Sequence, residues 1–121
     1  MNTLWVGLAG GLGSIARYHI GLFGNARAGQ FPWGTLAVNL LGSLLISILM
    51  SLVLRGRLDE STRIAIGIGF LGGFTTYSTF NFETIAMAQS GEWGRAILYV
   101  AATLIGCLVL GVIGYVIGRS I

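Results

Sequence analysis

Lysine is absent from this chain of 121 residues, cysteine and proline occur once each, and charged residues make up only 9% of the sequence. A typical soluble domain carries about 25% charged residues, so this composition is typical of an integral membrane protein. The lone Cys107 excludes an internal disulfide and a CxxC metal pair. The positive charge comes from scattered arginines that form no basic stripe, which argues against nucleic-acid binding.

Four apolar segments dominate the sequence, and each approaches or exceeds the roughly 20 residues with which a helix crosses a hydrocarbon core. The first connection between them contains Gly29 and Pro32 as helix breakers. No connection is long enough for a second domain, so residues 1–121 are predicted to form one all-α transmembrane domain. The predicted spans are about residues 3–23, 36–54, 64–88 and 96–118.

The third span contains an unusual sequence, GGFTTYSTF, at residues 72–80. Two adjacent glycines weaken a helix, by up to about 1 kcal/mol each relative to alanine, and four Ser and Thr hydroxyls follow them. Irregular backbone at membrane depth persists only where it is buried in protein or lines a cavity. We therefore predict that the third helix is broken here, at a site that holds or passes a polar or charged species.

Three side chains in the second and third spans are candidates for contact with an anion. Asn39 can donate two hydrogen bonds from within the second span, although it could instead bond a neighbouring backbone carbonyl. Tyr77 and Phe80 lie three residues apart on one helical face. The edge of an aromatic ring is positive, so it can solvate an anion without binding it as tightly as a full cation would. The alternative for the two rings is ordinary core packing.

The fourth span carries Tyr99, Thr103 and Cys107 at every fourth position, which makes a polar stripe along an apolar helix. A stripe facing Ser78 and Thr79 would form a ladder of donors for a desolvated ion. The alternative is that the Thr103 hydroxyl bonds its own helix backbone.

Two charged residues lie within the predicted spans and have two interpretations each. Arg17 could attract anions at a vestibule, or could extend to the lipid headgroups, as arginines near helix ends commonly do. Glu83 could bind a cation or proton, or could pair with an arginine near the surface.

The arginines near the span ends give only a weak bias for membrane orientation, because similar numbers lie on the two sides. Two copies inserted in opposite orientations could then pair about a two-fold axis in the membrane plane, although a single orientation agrees equally well with the charges. Glycine pairs at close-contact spacing, and the thin enclosure that four short helices provide, favour a dimer. The residues concerned are Arg55, Arg57, Arg63 and Arg119 on one side, Arg17, Arg27 and Arg95 on the other, and the pairs Gly7 with Gly11 and Gly114 with Gly118.

An enzymatic interpretation has little support. Gly67, Gly69 and Gly72 match the G-x-G-x-x-G pattern, but a dinucleotide site needs that pattern between a strand and a helix, and here it lies in an apolar span. The chain also lacks a convincing set of nucleophile, base and orienting group. We therefore predict that it is not an enzyme.

Three stretches of the sequence resemble the Fluc/CrcB family of fluoride channels. The stretch GTLAVN at residues 34–39 resembles the family signature G-T-L-x-V-N. The stretch GFLGGFTTYSTF at residues 69–80 resembles its G-F-x-G-G-x-T-T-F-S-T-F, and this second motif is very specific. Residues 10–18, which include Gly11, Gly13 and Arg17, are similar to a third motif. The likeness extends over all four spans.

The resemblance implies a passive, fluoride-selective channel that exports fluoride through the plasma (inner) membrane of a bacterium and gives fluoride resistance. It also implies an antiparallel, dual-topology homodimer of four-helix subunits. A structural sodium ion on the dimer axis would be held by the backbone carbonyls of Gly72 and Thr75 from both subunits. By position, the fluoride pathway would comprise Arg17, Asn39, Tyr77, Ser78, Thr79, Phe80, Glu83, Tyr99 and Thr103.

The chain departs from the family pattern at two positions. Tyr77 stands where the first of two pathway phenylalanines is expected, which keeps a ring edge and adds a hydroxyl. Cys107 stands where a serine is common, and a thiol is the weaker hydrogen-bond donor.

Two other functions remain as alternatives. A small, dual-topology, proton-coupled multidrug exporter would need a buried acid in the first span, and residues 3–23 contain none. A noncatalytic assembly subunit of the membrane would explain the glycines but not the polar and aromatic cluster at residues 75–80.

Overall fold

The computed structural model describes residues 1–24 and 31–121, and all regular secondary structure in these two ranges is helical. The all-α class is therefore confirmed. Gly29 and Arg27, which the sequence analysis placed in the first connection, lie outside the described residues. The helices are α1, Asn2–Gly24; α2, Trp33–Leu54; α3, residues 60–74; α4, Tyr77–Gln89; and α5, Trp93–Ser120.

Helix α3 consists of three contiguous pieces with different helical geometry. A turn of α-helix at Glu60–Thr62 leads into the π-helical segment Arg63–Leu71, and a second turn of α-helix at Gly72–Phe74 ends it. At the start, the Asp59 carboxylate accepts a 3.0 Å hydrogen bond from the Thr62 backbone N–H, as is typical of an N-cap. Hydrogen bonding to Thr62 also lowers the pKa of Asp59. Because π-helical turns are uncommon and frequently mark functional sites, α3 is a distinctive part of the fold.

The backbone is extended at Thr75 and Thr76, between α3 and α4. Their φ and ψ angles are −83° and 160° at Thr75, and −152° and 123° at Thr76. The Thr76 hydroxyl accepts a hydrogen bond of 3.3 Å from the Thr79 backbone N–H and so caps the start of α4. The third predicted span is thus two shorter helices joined by two extended residues.

Glycines allow close contacts between helices. Gly114 and Gly118 of α5 lie against the backbone carbonyls of Leu44 and Ile48 in α2, where a Cβ atom would have no space. Gly13 of α1 lies similarly close to the Phe70 carbonyl of α3. The close spacing of Gly114 and Gly118, which the sequence offered as support for a dimer, is therefore accounted for by packing within one chain.

Gly7 and Gly11, the other predicted glycine pair, lie on the outer face of α1. A Cβ built at either position meets no described atom within 4 Å. Packing within the chain consequently does not account for this pair.

The outer surface of the bundle is strongly apolar. Helices α2 and α5 are long and apolar enough to cross a membrane, by length and composition. Neither α3 nor α4 alone has the roughly 20 residues that such a crossing needs. Helix α1 is long enough, but its glycines lower its mean hydropathy. Soluble monomers rarely expose large contiguous apolar patches, so this surface fits contact with lipid or with another chain. The large exposed side chains include Leu4, Leu8, Leu12 and Ile15 on α1, and Ile97, Ile105, Leu108 and Val112 on α5.

Candidate functional site

Asn39 joins α2 to the extended segment through a pair of hydrogen bonds. Its Nδ2 donates to the Thr76 carbonyl at 2.9 Å, and its Oδ1 accepts from the Thr76 backbone N–H at 2.8 Å. The buried amide therefore bonds both backbone groups of Thr76, the N-cap residue of α4. An amide nitrogen carries two hydrogens, so one N–H remains for a further acceptor. Of the two interpretations of Asn39, the bond to a backbone carbonyl is present. The remaining N–H still allows the other, which is contact with an anion.

A cavity of about 480 Å³ lies beside this link, between α2, the extended segment, α4 and α5. Its lining includes Asn39, Phe80 and Thr103. The Thr103 hydroxyl is buried in a residue that is only 7% exposed, and it has no hydrogen-bond partner among the described residues. A buried polar group left unsatisfied costs about 1–3 kcal/mol. Because the Thr103 Oγ1 atom has almost no solvent-accessible surface, this oxygen lies behind the cavity wall.

Two aromatic contacts place Phe80 between Tyr77 and Tyr99. The Phe80 ring meets the Tyr77 ring with centroids 5.6 Å apart at 61°, and the Tyr99 ring with centroids 5.1 Å apart at 63°. Both are edge-to-face arrangements, which leave positive ring edges pointing across the cluster. Phe80 is buried at 6% exposure, whereas Tyr77 is 76% exposed. The Tyr77 ring is therefore accessible from outside the chain.

A second cavity of about 430 Å³ lies on the other side of the extended segment, and Arg17, Thr35 and Thr79 are among its lining residues. The Arg17 guanidinium does not extend outward but donates a 3.1 Å hydrogen bond to the Thr75 carbonyl. It thereby ties α1 to the extended segment. Thr76 lines both cavities, so it lies at the junction between them.

The carboxyl group of Glu83 is held by two hydroxyls from other helices. The Tyr99 hydroxyl donates to one oxygen at 2.7 Å, and the Thr35 hydroxyl donates to the other at 2.8 Å. Tyr99 is fully buried. The cluster therefore links α2, α4 and α5 around one acid, next to the Phe80 ring.

We expect Tyr99→Phe to lower the stability of the folded chain by about 1–2 kcal/mol. The change removes only the hydroxyl and leaves the Glu83 oxygen without this buried donor. Thermal denaturation of the purified protein in detergent measures the effect. Tyr115→Phe is the matched control, because Tyr115 is half-exposed on the same helix and lies outside this cluster. Equal stabilities of the two variants would contradict a stabilising role for this hydrogen bond.

Ser78 and Thr79 are exposed at the start of α4 and bond mainly to Thr76. The Thr76 hydroxyl donates to the Thr79 hydroxyl at 3.1 Å, and the hydroxyls of Thr76 and Ser78 are 3.4 Å apart. Thr79 lines the second cavity, whereas Thr103 lines the first. Within one chain, Thr103 and Cys107 of α5 therefore border a different space from Thr79.

Gly72 and Thr75, the residues considered for a sodium site, both line the first cavity. The Thr76 N–H bonds to Asn39, so the Gly72 carbonyl loses the partner that a continuous α-helix would supply four residues on. The Thr75 carbonyl already accepts from Arg17, and a carbonyl has a second lone pair. Among the described residues, no cluster of His, Cys, Asp or Glu could hold a metal ion.

Sequence reasoning did not include Thr35, Ser43 and Thr76 among the site residues. The signal for Ser43 was present, because α2 carries Asn39, Ser43, Ser47 and Ser51 at every fourth position, the spacing of the stripe on α5. Asn39 and Ser43 line the first cavity. Ser51, at the other end, donates to the Tyr115 carbonyl at 3.2 Å and so belongs to helix packing.

Comparison with known proteins places this geometry in context. Residues 4–115 match the family model described as "CrcB-like protein, Camphor Resistance (CrcB)". A protein of Novosphingobium aromaticivorans named "Fluoride-specific ion channel FluC" is 44% identical over 122 residues, which cover 98% of this chain and 94% of that protein. A protein of Thermus thermophilus with the same name is 45% identical over 120 residues, again covering 98% and 94% of the two chains. A third, from Magnetococcus marinus, is 41% identical over 123 residues and covers both chains completely.

These names describe ion channels rather than enzymes, in agreement with the prediction that the chain is not an enzyme. The matches extend over nearly the whole length of each relative, so no additional domain in the relatives accounts for their names.

Proposed function

The chain belongs to the CrcB family, and from that membership we propose that it conducts fluoride ions passively across a cell membrane. The observation that carries the proposal most directly is the Asn39 amide, which bonds both backbone groups of Thr76 and keeps one N–H for a further acceptor. Asn39 lines the first cavity together with Ser43 and Phe80. A small anion would supply the acceptor that this N–H lacks.

The chemistry of the cavity suits an anion that must enter and leave quickly. Its donors are neutral hydroxyls, an amide and ring edges, and no arginine of the described residues lines it. Several weak partners can replace part of a hydration shell without trapping the ion. Since fluoride is the smallest halide, these short donors can approach it more closely than they can approach chloride.

We place the ion route from the second cavity, past the extended segment, into the first. Arg17 gives the second cavity positive charge, which would raise the local concentration of anions. Thr76 would mark the passage between the cavities, since it lines both. Ser78 and Thr79 would contact the ion before it reaches Thr76. Glu83, held by Thr35 and Tyr99, would lie at the edge of the route.

We further propose that two chains assemble as an antiparallel, dual-topology homodimer in the plasma membrane of a bacterium. Tyr77 is largely exposed, and Gly7 and Gly11 on α1 have no neighbouring atoms within the described chain. These three residues are therefore available for contact with a second subunit. The balanced arginines allow both insertions. Bringing two extended segments together on the axis would give each pathway an exposed Tyr77 ring from the other subunit.

A structural sodium ion fits the carbonyls that the helix break leaves at this site. Unwound carbonyls of broken membrane helices commonly coordinate such cations. The carbonyls of Gly72 and Thr75 from two subunits would hold it, and the ion would supply a central charge that joins them. Arg17, bonded to Thr75, fixes the direction of that carbonyl.

A proton-coupled exporter is disfavoured by the position of the acids. The first span contains no acid, and Glu83 is bonded to two hydroxyls at the edge of the site. A requirement for a proton gradient, or saturation of flux with substrate, would favour the exporter over a channel.

We expect purified protein in liposomes to release fluoride at least about 100-fold faster than chloride under equal gradients, because the short donors of the cavity approach the smaller ion more closely; this ratio corresponds to about 2.7 kcal/mol. Fluoride- and chloride-selective electrodes measure the two fluxes with the membrane potential clamped by a potassium ionophore. Protein-free liposomes provide the leak rate. Similar rates for the two halides would refute selectivity, and fluoride release at the leak rate would refute the channel.

A further inference from the structure

We propose that Ser43 of α2 is a further anion-contact residue, whose hydroxyl donates a hydrogen bond to the ion one helical turn after Asn39. The assignment rests on the channel function proposed above. It adds to that function a residue that lies outside the family motifs at residues 34–39 and 69–80.

Ser43 and Asn39 lie on the same side of α2. Four residues separate them, so their Cβ atoms are about 5–6 Å apart on one helical face, and both residues line the first cavity. Asn39 bonds the Thr76 backbone with its oxygen and one N–H. For an ion bonded to the remaining Asn39 N–H, Ser43 is therefore the neighbouring polar side chain on this face of α2.

The other aliphatic hydroxyls of the cavity lining are already bonded or enclosed. The Thr75 hydroxyl donates to the Leu71 carbonyl at 3.0 Å, and the Thr76 hydroxyl donates to the Thr79 hydroxyl at 3.1 Å. The Thr103 oxygen lies behind the cavity wall. None of these three hydroxyls has a donor ready for an ion in the cavity.

The Ser43 hydroxyl has no hydrogen-bond partner among the described residues, and Ser43 is partly exposed. Hydroxyls in helices commonly bond the carbonyl four residues before, as those of Thr84 and Ser120 do in this chain. Ser43 makes no such bond to the Asn39 carbonyl. Because an unpaired hydroxyl in an apolar span is costly, this free donor points to an acceptor that enters the cavity.

The chemistry of a hydroxyl suits the proposed ion. An O–H bond to an anion is short and stronger than a bond between neutral groups, yet the hydroxyl carries no charge that would hold the ion in place. The Asn39 N–H and the Ser43 O–H are two free donors on one helix face. A small anion can therefore pass from the amide to the hydroxyl while it keeps a bonded partner.

The test compares Ser43→Thr with Ser43→Val in full-length protein in liposomes, with fluoride efflux measured by a fluoride-selective electrode. Both side chains are β-branched, and they differ by a hydroxyl in place of a methyl group. We expect Ser43→Val to release fluoride about 5-fold more slowly than Ser43→Thr, as for the loss of one hydrogen bond. Ser43→Ala should be slower than the unmodified chain by a similar factor, which provides a second comparison if the larger side chains prevent folding.

Two controls separate contact with the ion from a role in packing. Ser47 lies one turn further along α2, beside Gly111 and Gly114 of α5 and outside the lining of the first cavity, so Ser47→Ala should leave fluoride efflux unchanged. The midpoint of thermal denaturation in fluoride-free detergent should be the same for Ser43→Ala and the unmodified chain, because the Ser43 hydroxyl has no partner among the described residues.

The outcomes distinguish the Ser43 assignment from the channel itself. If the unmodified chain conducts fluoride, equal efflux from Ser43→Thr and Ser43→Val, or normal efflux from Ser43→Ala, would overturn the assignment. A lower denaturation midpoint for Ser43→Ala would assign the hydroxyl to packing between helices or subunits and would also overturn it, as would an equal loss of efflux in Ser47→Ala. Absence of fluoride efflux from the unmodified chain would instead refute the proposed function, and the Ser43 assignment with it.

Discussion

Asn39→Asp is expected to reduce fluoride efflux from liposomes by at least about 100-fold, which corresponds to about 2.7 kcal/mol. The change replaces the donating amide nitrogen with an oxygen that faces the Thr76 carbonyl, and the bond of 2.9 Å is lost. It also introduces negative charge at the wall of a cavity proposed to carry anions. The loss of this hydrogen bond and the electrostatic repulsion both reduce fluoride efflux.

Ser43→Ala is the matched control for this prediction. Ser43 lines the same cavity one turn along α2 and has no bond to the extended segment. We expect its efflux to fall by less than about 10-fold, as for the loss of one neutral donor worth about 1 kcal/mol. Size-exclusion elution and helix content by circular dichroism show whether each variant remains folded. Folded Asn39→Asp protein with normal fluoride efflux would exclude Asn39 from the route.

Gly114→Ala is expected to lower the stability of the folded chain by about 1–3 kcal/mol, or to prevent folding altogether. A Cβ at position 114 would overlap the Leu44 carbonyl oxygen of α2. Because the obstacle is backbone, it can be relieved only by separating α2 from α5. These two helices form the most extensive contact of the bundle. Yield of monodisperse protein and the midpoint of thermal denaturation in detergent measure the effect.

Gly111→Ala, one turn earlier on α5, should be tolerated. Its Cβ would meet only the Ser47 hydroxyl oxygen at 3.5 Å, an ordinary contact. Alanine is favoured over glycine inside a helix by up to about 1 kcal/mol, so this variant should equal or exceed the stability of the original chain. Equal destabilisation of both variants would show that the close contact with the Leu44 carbonyl is not what makes position 114 intolerant of alanine.

Much of the architecture follows from local chemistry and was predictable from the chain. Low charge and long apolar segments predict helices, because a backbone without water must satisfy its own hydrogen bonds. The spacing of Gly114 and Gly118 predicted a close helix contact, which is present against α2. The residues at 69–80 carried the family resemblance, since few proteins place two glycines, hydroxyls and rings together in an apolar segment.

The partners of the polar groups were not predictable in the same way. Asn39 could have faced a ligand or a backbone group, and only the position of α2 beside residue 76 shows that it bonds the Thr76 backbone. Arg17 was expected at a vestibule or among headgroups, yet it reaches the Thr75 carbonyl because α1 crosses the extended segment. One of the two interpretations put the stripe on α5 opposite Ser78 and Thr79, but Thr103 and Thr79 line separate cavities.

By itself, the sequence determined the class of protein, the helical segments and the chemical kinds of groups available to an ion. These properties depend on composition and on spacing along one helix, which act over a few residues. Only the tertiary structure decided which groups meet: the two hydrogen bonds of Asn39 with Thr76, the Glu83 cluster with Thr35 and Tyr99, and the bond from Arg17 to the Thr75 carbonyl. Those contacts join residues distant in the chain, and they depend on how closely glycines allow the helices to approach.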